Sequence, residues 1–198
     1  PTKTYSKAGS YKVQLTASNS SGCSNVYFKN VVVNELPIVT LAAFNPVCAE
    51  APAFNLTGGL PKGGSYSGKG VVDGMFNATT AGVGTHTITY TYTNENGCIS
   101  TATNTIQVKA LPTVSFSGLP TTICSGAAAV TLTASPAGGV WVGNGMNKDG
   151  VFTPATAGVG THIIEYIYSD AGGCTNKATK TVEVTSVTGT LTASSNSP

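Results

Sequence analysis

Apolar and polar residues alternate with period two in three stretches of this chain, and the three share one ending. From Ala81-Gly82-Val83-Gly84-Thr85-His86 the chain runs into Ile88, Tyr90 and Tyr92, with threonine between them, and closes at Asn96-Gly97-Cys98. The same phrase returns from Ala157 to His162, then Ile164, Tyr166 and Tyr168, and closes at Gly172-Gly173-Cys174. A looser copy opens the chain: Gly9, Tyr11, Val13, Leu15 and Ala17 alternate with Lys12, Gln14 and Thr16, then Gly22-Cys23. Period two is what a strand with one buried face requires, and the Gly-Cys ending reads as the turn into a second strand. Each copy is therefore a predicted hairpin: Tyr11 to Ser18 with Ser24 to Val33, Thr85 to Thr93 with Ile99 to Lys109, and the equivalent pair before Ser186.

The segments between the hairpins also repeat. Leu36-Pro37 and Leu111-Pro112 open each unit, Cys48 and Cys124 follow in predicted loops, and Asp73-Gly74 and Asp149-Gly150 precede Phe76 and Phe152. Pro37 to Ala43, Ala53 to Thr57 and the surroundings of Tyr66 read as further strands, and Asp-Gly reads as a tight turn. The fold class is thus all-β, with a partial unit at 1–35, full units at 36–110 and 111–186, and the first strand of another at 187–198. Such a pattern is expected of a window on a longer array, with residues 1–35 unable to close a sandwich alone and their edges open to another chain.

Composition narrows the function classes. Only 9% of residues are charged and 40% are apolar, in short runs that can bury a core. All ten cationic residues are isolated lysines, unlike the clustered basic surface of a nucleic-acid binder. No apolar run approaches the roughly 18 residues of a membrane span, so no membrane insertion is expected. The eight acidic residues are scattered, with no calcium loop, paired carboxylates or Ser/His/Asp set, so neither enzyme activity nor a cofactor is expected. His86 and His162, replaced by Tyr11 in the first copy, read as rim residues with an apolar body and a polar tip. Tyr66 and Trp141 occupy equivalent positions after Gly-Gly and read as core aromatics; an exposed pair would instead form a glycan-stacking platform.

Gly-Gly-x-Trp/Tyr, Asp-Gly-x-Phe, Ala-Gly-Val-Gly-Thr-His, Tyr-x-Tyr and Gly-Cys together resemble the PKD-like or Ig-like repeats found in tandem in large surface adhesins and secreted enzymes of gliding bacteria. Thr4 to Leu15 is similar to the closing half of a PKD domain. The PKD motif Trp-x-Phe-Gly-Asp-Gly is absent from the two full units. The resemblance implies Ig-like β-sandwiches, export to the cell surface and type IX secretion. It also implies a structural and adhesive stalk or filament segment, whose partners are neighbouring repeats and surface glycans or other cells. Two alternatives are a carbohydrate-binding accessory module of a secreted polysaccharidase and a strand-exchanged filament subunit.

Five cysteines in such a chain point to disulfides and an extracellular setting. Two connectivities stand open. One closes each unit on itself, Cys48 with Cys98 and Cys124 with Cys174. The other follows from Ig-like topology, which puts Cys48 and Cys124 at one pole of their units and Cys98 and Cys174 at the opposite pole. Cys48 would then bond Cys174 of the next unit, and Cys98, Cys124 and Cys23 would need partners outside this chain.

Overall fold

A computed structural model describes residues 2–186. The strand expected in 187–198 lies outside the described residues. The chain divides between Val108 and Lys109 into two compact units.

The first unit opens with β1 (Gly9–Ser18) and β2 (Ser24–Val33), a two-stranded antiparallel sheet. Its body then runs β3 (Thr40–Leu41), β4 (Val47–Cys48), β5 (Phe54–Asn55), β6 (Gly59–Leu60), β7 (Ser65–Ser67), β8 (Val71–Val72) and β9 (Met75–Phe76). One helical turn, α1 (Ala78–Ala81), leads into β10 (Gly84–Thr93) and β11 (Ile99–Lys109). The second unit repeats the plan with β12 (Ser115–Ser117), β13 (Thr122–Cys124), β14 (Val130–Thr131), β15 (Thr133–Ser135), β16 (Val140–Val142) and β17 (Val151–Phe152). It closes with α2 (Pro154–Ala157), β18 (Gly160–Ser169) and β19 (Thr175–Thr185).

In each full unit one four-stranded sheet, β4-β11-β10-β7 or β13-β19-β18-β16, faces smaller sheets of short strands: β3-β6 and β5-β9-β8, or β12-β15 and β14-β17. This is the two-layer architecture of an Ig-like sandwich. The β13 edge strand runs parallel to β19 (Ile123 opposite Val184), and β18 pairs antiparallel with both β19 and β16. The inner faces carry the alternating residues read from the sequence. Ile88, Ile106 and Val108 pack with Leu56 and Phe76 in the first unit. Ile164, Val182 and Val184 pack with Phe116, Leu132 and Phe152 in the second.

Three expectations about elements need correction. Cys48 and Cys124 lie on edge strands, not in loops, because the segment before each adds to the last strand of its sheet. The strands expected over Pro37 to Ala43 and Ala53 to Thr57 shrink to Thr40–Leu41 and Phe54–Asn55. A helical turn also precedes each closing hairpin: the Asn77 side chain accepts a hydrogen bond from the Thr80 amide, and Pro154 starts α2 at a position where proline loses no helical bond.

A tyrosine hydroxyl ties the sheet to the loop above it in both units. Tyr90 Oη donates to the Pro61 carbonyl (2.6 Å) and accepts from the Gly64 amide (2.7 Å). Tyr166 does the same with Pro136 (2.7 Å) and Gly139 (2.6 Å). Both rings are 2% exposed, so these hydroxyls would otherwise be stranded without water. The approach leaves no room for a side chain: a Cβ at Gly139 would stand 2.6 Å from Tyr166 Cζ. Tyr166→Phe is expected to destabilise the second unit by about 1–3 kcal/mol, since two part-buried backbone groups lose their partner. Gly139→Ala should cost on the order of 1–3 kcal/mol through overpacking. Trp141, the single tryptophan, lies 4.6 Å from the Tyr166 ring, so its fluorescence in a urea titration reads the second unit selectively.

On the long hairpin of the second unit Lys177 Nζ pairs with Glu165 Oε1 at 2.6 Å. The Lys177 hydrogen bond holds the Glu165 carboxyl below its usual range, opposed by partial desolvation and helped by the lysine charge and Thr179. A lowered carboxyl value means that the pair's contribution is present at neutral pH and is lost as pH falls through that value. Carboxyl carbon NMR should show Glu165 titrating at higher pH in Lys177→Ala.

Candidate functional site

The three hairpins end in one turn. In each, an Asx residue sits four positions before the cysteine: Asn19, Asn94 or Asp170. Its side-chain oxygen accepts the cysteine amide at 3.0, 2.9 and 2.9 Å. Its backbone amide donates to the cysteine carbonyl at 3.0, 3.0 and 2.9 Å, and the glycine amide returns to the Asx carbonyl. The glycines have φ of +83°, +77° and +81°, which a side chain would strain. Cys23, Cys98 and Cys174 are thus held in one backbone geometry, fixed by local hydrogen bonds alone.

Their states differ. Cys23 is an exposed free thiol and Cys98 a half-buried one, whereas Cys174 is disulfide-bonded and fully buried. On the edge strands, Cys48 is disulfide-bonded and Cys124 is an exposed free thiol.

The sheet register places the cysteines of one unit far apart. Cys124 stands opposite Thr185 at the end of β19, whereas Cys174 immediately precedes the first residue of that strand. The eleven residues of β19 at about 3.3 Å each separate them by roughly 33 Å. A disulfide needs Cα atoms about 5.5 Å apart. Each full unit therefore carries an edge-strand cysteine at one pole and a turn cysteine at the other, as β4-β11 repeats the edge arrangement.

His86 is buried and so is not a rim residue, whereas His162 is half-buried, as a rim residue would be. His86 is 9% exposed, its ring 6.4 Å from Phe76, and its Nε2 lies 2.7 Å from the Gly82 carbonyl. His162 repeats the bond to Gly158 at 2.8 Å. A carbonyl only accepts, so Nε2 carries the proton in both. Each imidazole anchors the glycine that ends α1 or α2, a role hidden in the sequence because the helical turn itself was hidden. Among the described residues no group of three or more His, Cys, Asp or Glu side chains could hold a metal ion.

Tyr66 and Trp141 face inward. Tyr66 packs on Tyr90 at 4.8 Å and its hydroxyl accepts the Gly59 amide at 2.9 Å. Trp141 packs between Phe116 (5.1 Å) and Tyr166 (4.6 Å). Asp73 and Gly74 form a two-residue turn with φ of +49° and +77°, the left-handed pair that a tight hairpin demands. In the second unit the turn is longer, and Asn147 organises it by accepting the Asp149 and Val151 amides.

One surface escaped the sequence reading in its extent. The β1–β2 hairpin matches the closing hairpins rung for rung, with Tyr11 opposite Val31 as His86 is opposite Ile106. Its corresponding inner face is bare: Leu15, at the place of Tyr90, is 59% exposed, and Tyr27 is 67% exposed. Tyr11, Val13, Leu15 and Tyr27 line an open groove there.

No protein-family model matches the chain, and no curated protein matches it. Solved structures that align with this chain include a Ca2+-stabilized adhesin that helps an Antarctic bacterium reach out and bind ice. It is 14% identical over 90% of this chain at a TM-score of 0.33, and this chain spans 57% of it. Mouse protocadherin-24 EC1-3 is 12% identical, covering 90% of this chain and 80% of its own at a TM-score of 0.28. Sidekick-1 immunoglobulin domains 1-4 are 11% identical, covering 89% and 66%, at a TM-score of 0.24. Nothing about ligand or partner passes from them to this chain.

Trp141→Ala is expected to lower the stability of the second unit by about 3 kcal/mol, as a large core truncation does, read by circular dichroism in urea. A glycan platform residue would be removed without that loss.

Proposed function

We propose that this chain is a segment of an extracellular adhesive stalk, in which successive Ig-like units are stapled by disulfides from the edge strand of one unit to the closing turn of the next. Here the staple is Cys48 with Cys174. The observation that carries this reading is the division of cysteine states: Cys48 and Cys174 are bonded, while Cys98 and Cys124, the partners that within-unit bridges would use, are free. The separation along β19 supports it, since a unit with cysteines at opposite poles has no means of closing on itself. Bonded cysteines fit an oxidising compartment outside the cell. No described helix is long and apolar enough to cross a membrane.

The mechanical logic is that the edge strand and the last strand run parallel in one sheet. Tension applied between the two ends of a unit loads that ladder in shear, so its hydrogen bonds resist together. A staple across each junction limits bending between units and holds a distal binding surface away from the cell. The resemblance to PKD-like repeats of gliding bacteria extends this reading to type IX export and to glycans or other cells as the surfaces engaged.

Non-reducing peptide mapping of the full chain tests it. The expected product joins the Cys48 and Cys174 peptides. A Cys48–Cys98 or Cys124–Cys174 product would overturn the staple.

A further inference from the structure

In both full units the last strand has two neighbours. One is its hairpin partner; the other is a short edge strand ending in cysteine, Val47–Cys48 on β11 and Thr122–Cys124 on β19. The β2 strand corresponds to β11 and β19 in register, yet among the described residues its sheet contains only β1. Val32, Val33 and Asn34 stand where Glu183, Val184 and Thr185 receive Thr122, Ile123 and Cys124. Val32 is 67% exposed. A strand added in the same register would end with its cysteine opposite Asn34.

The turn that carries Cys98 lies beside that point. Asn94 Nδ2 donates to the Glu35 carbonyl at 3.3 Å, and the same Asn94 accepts the Cys98 amide through its side-chain oxygen. The half-buried thiol of Cys98 is therefore fastened next to the end of β2.

We propose that the free edge of β2 is a docking site for a short parallel strand of this chain's own edge type, an apolar residue followed by cysteine, supplied by a further Ig-like unit of this kind. The docked cysteine bonds Cys98. This rests on the staple reading of Cys48 and Cys174, of which it is the next instance. The two thiols give up two protons and two electrons to a small disulfide oxidant, which is reduced to two thiols while the new S–S bond forms. Lys29, paired with Val13 on the bare inner face, argues against the other occupant, a second copy's hairpin packed face to face, because two such faces would oppose like charges.

The test offers the full chain a peptide of its own residues 119–126, with Cys124 activated as a mixed disulfide of 2-thiopyridine. A protein thiolate attacks the peptide sulfur and displaces thiopyridone, leaving the peptide attached, and non-reducing mapping locates it. Cys23 and Cys124 are the more exposed thiols, so exposure alone would label them first. Docking instead predicts Cys98 labelled at least about fivefold over either, because a bound strand raises the effective concentration of its disulfide. A peptide with Ile123→Asp and Thr122→Pro should lose that preference. Labelling in the order of exposure, or no attachment at Cys98, overturns the proposal. The same map reports the Cys48–Cys174 product: its presence without a Cys98 preference removes the docking site alone, and its absence removes the staple with it.

Discussion

The long antiparallel ladder of the closing hairpin is the constraint on which each unit depends. Ten rungs join β10 to β11 and ten join β18 to β19, and the neighbouring strands are hung on this frame. Its register admits no slip, because a shift by one residue would turn Ile88 and Tyr90 to solvent and bring threonines into the core. The Asx turn fixes the same register from the other end by hydrogen bonds that need no tertiary partner. Burial and local geometry therefore agree, which is the condition for a sequence to specify one structure.

From that frame follow the two poles. The turn holds one cysteine at the start of the last strand, and the edge strand delivers the other to its finish. A long straight ladder keeps them apart, so the feature that stabilises each sandwich also denies it an internal disulfide. Each full unit thus carries one cysteine at either pole.

The first hairpin displays the same frame without its covering. Leu15 and Tyr27 remain exposed where Tyr90 and Ala102 are packed, although strand pairing and turn match the others rung for rung. The hairpin is thus paired without a covering layer, while burial of its apolar face needs one. Two-stranded ribbons of this kind are marginal by themselves in water, and their open edges invite strand addition.

Local chemistry alone determined the hairpins, their turns and the Asp73-Gly74 reversal. Period-two alternation and left-handed glycines are written in consecutive residues and need no distant partner. The all-β class followed from them. Tertiary structure alone decided what the remaining residues do. Strands of two residues, such as Thr40–Leu41, exist only because a neighbour presents a ladder. The imidazoles of His86 and His162 are tied to carbonyls at the ends of helical turns that no periodicity announces. Cys48 and Cys124 look like loop residues until the edge of the last strand captures them. In each case the deciding partner lies far away in sequence, and only the packed sheets bring it within hydrogen-bonding distance.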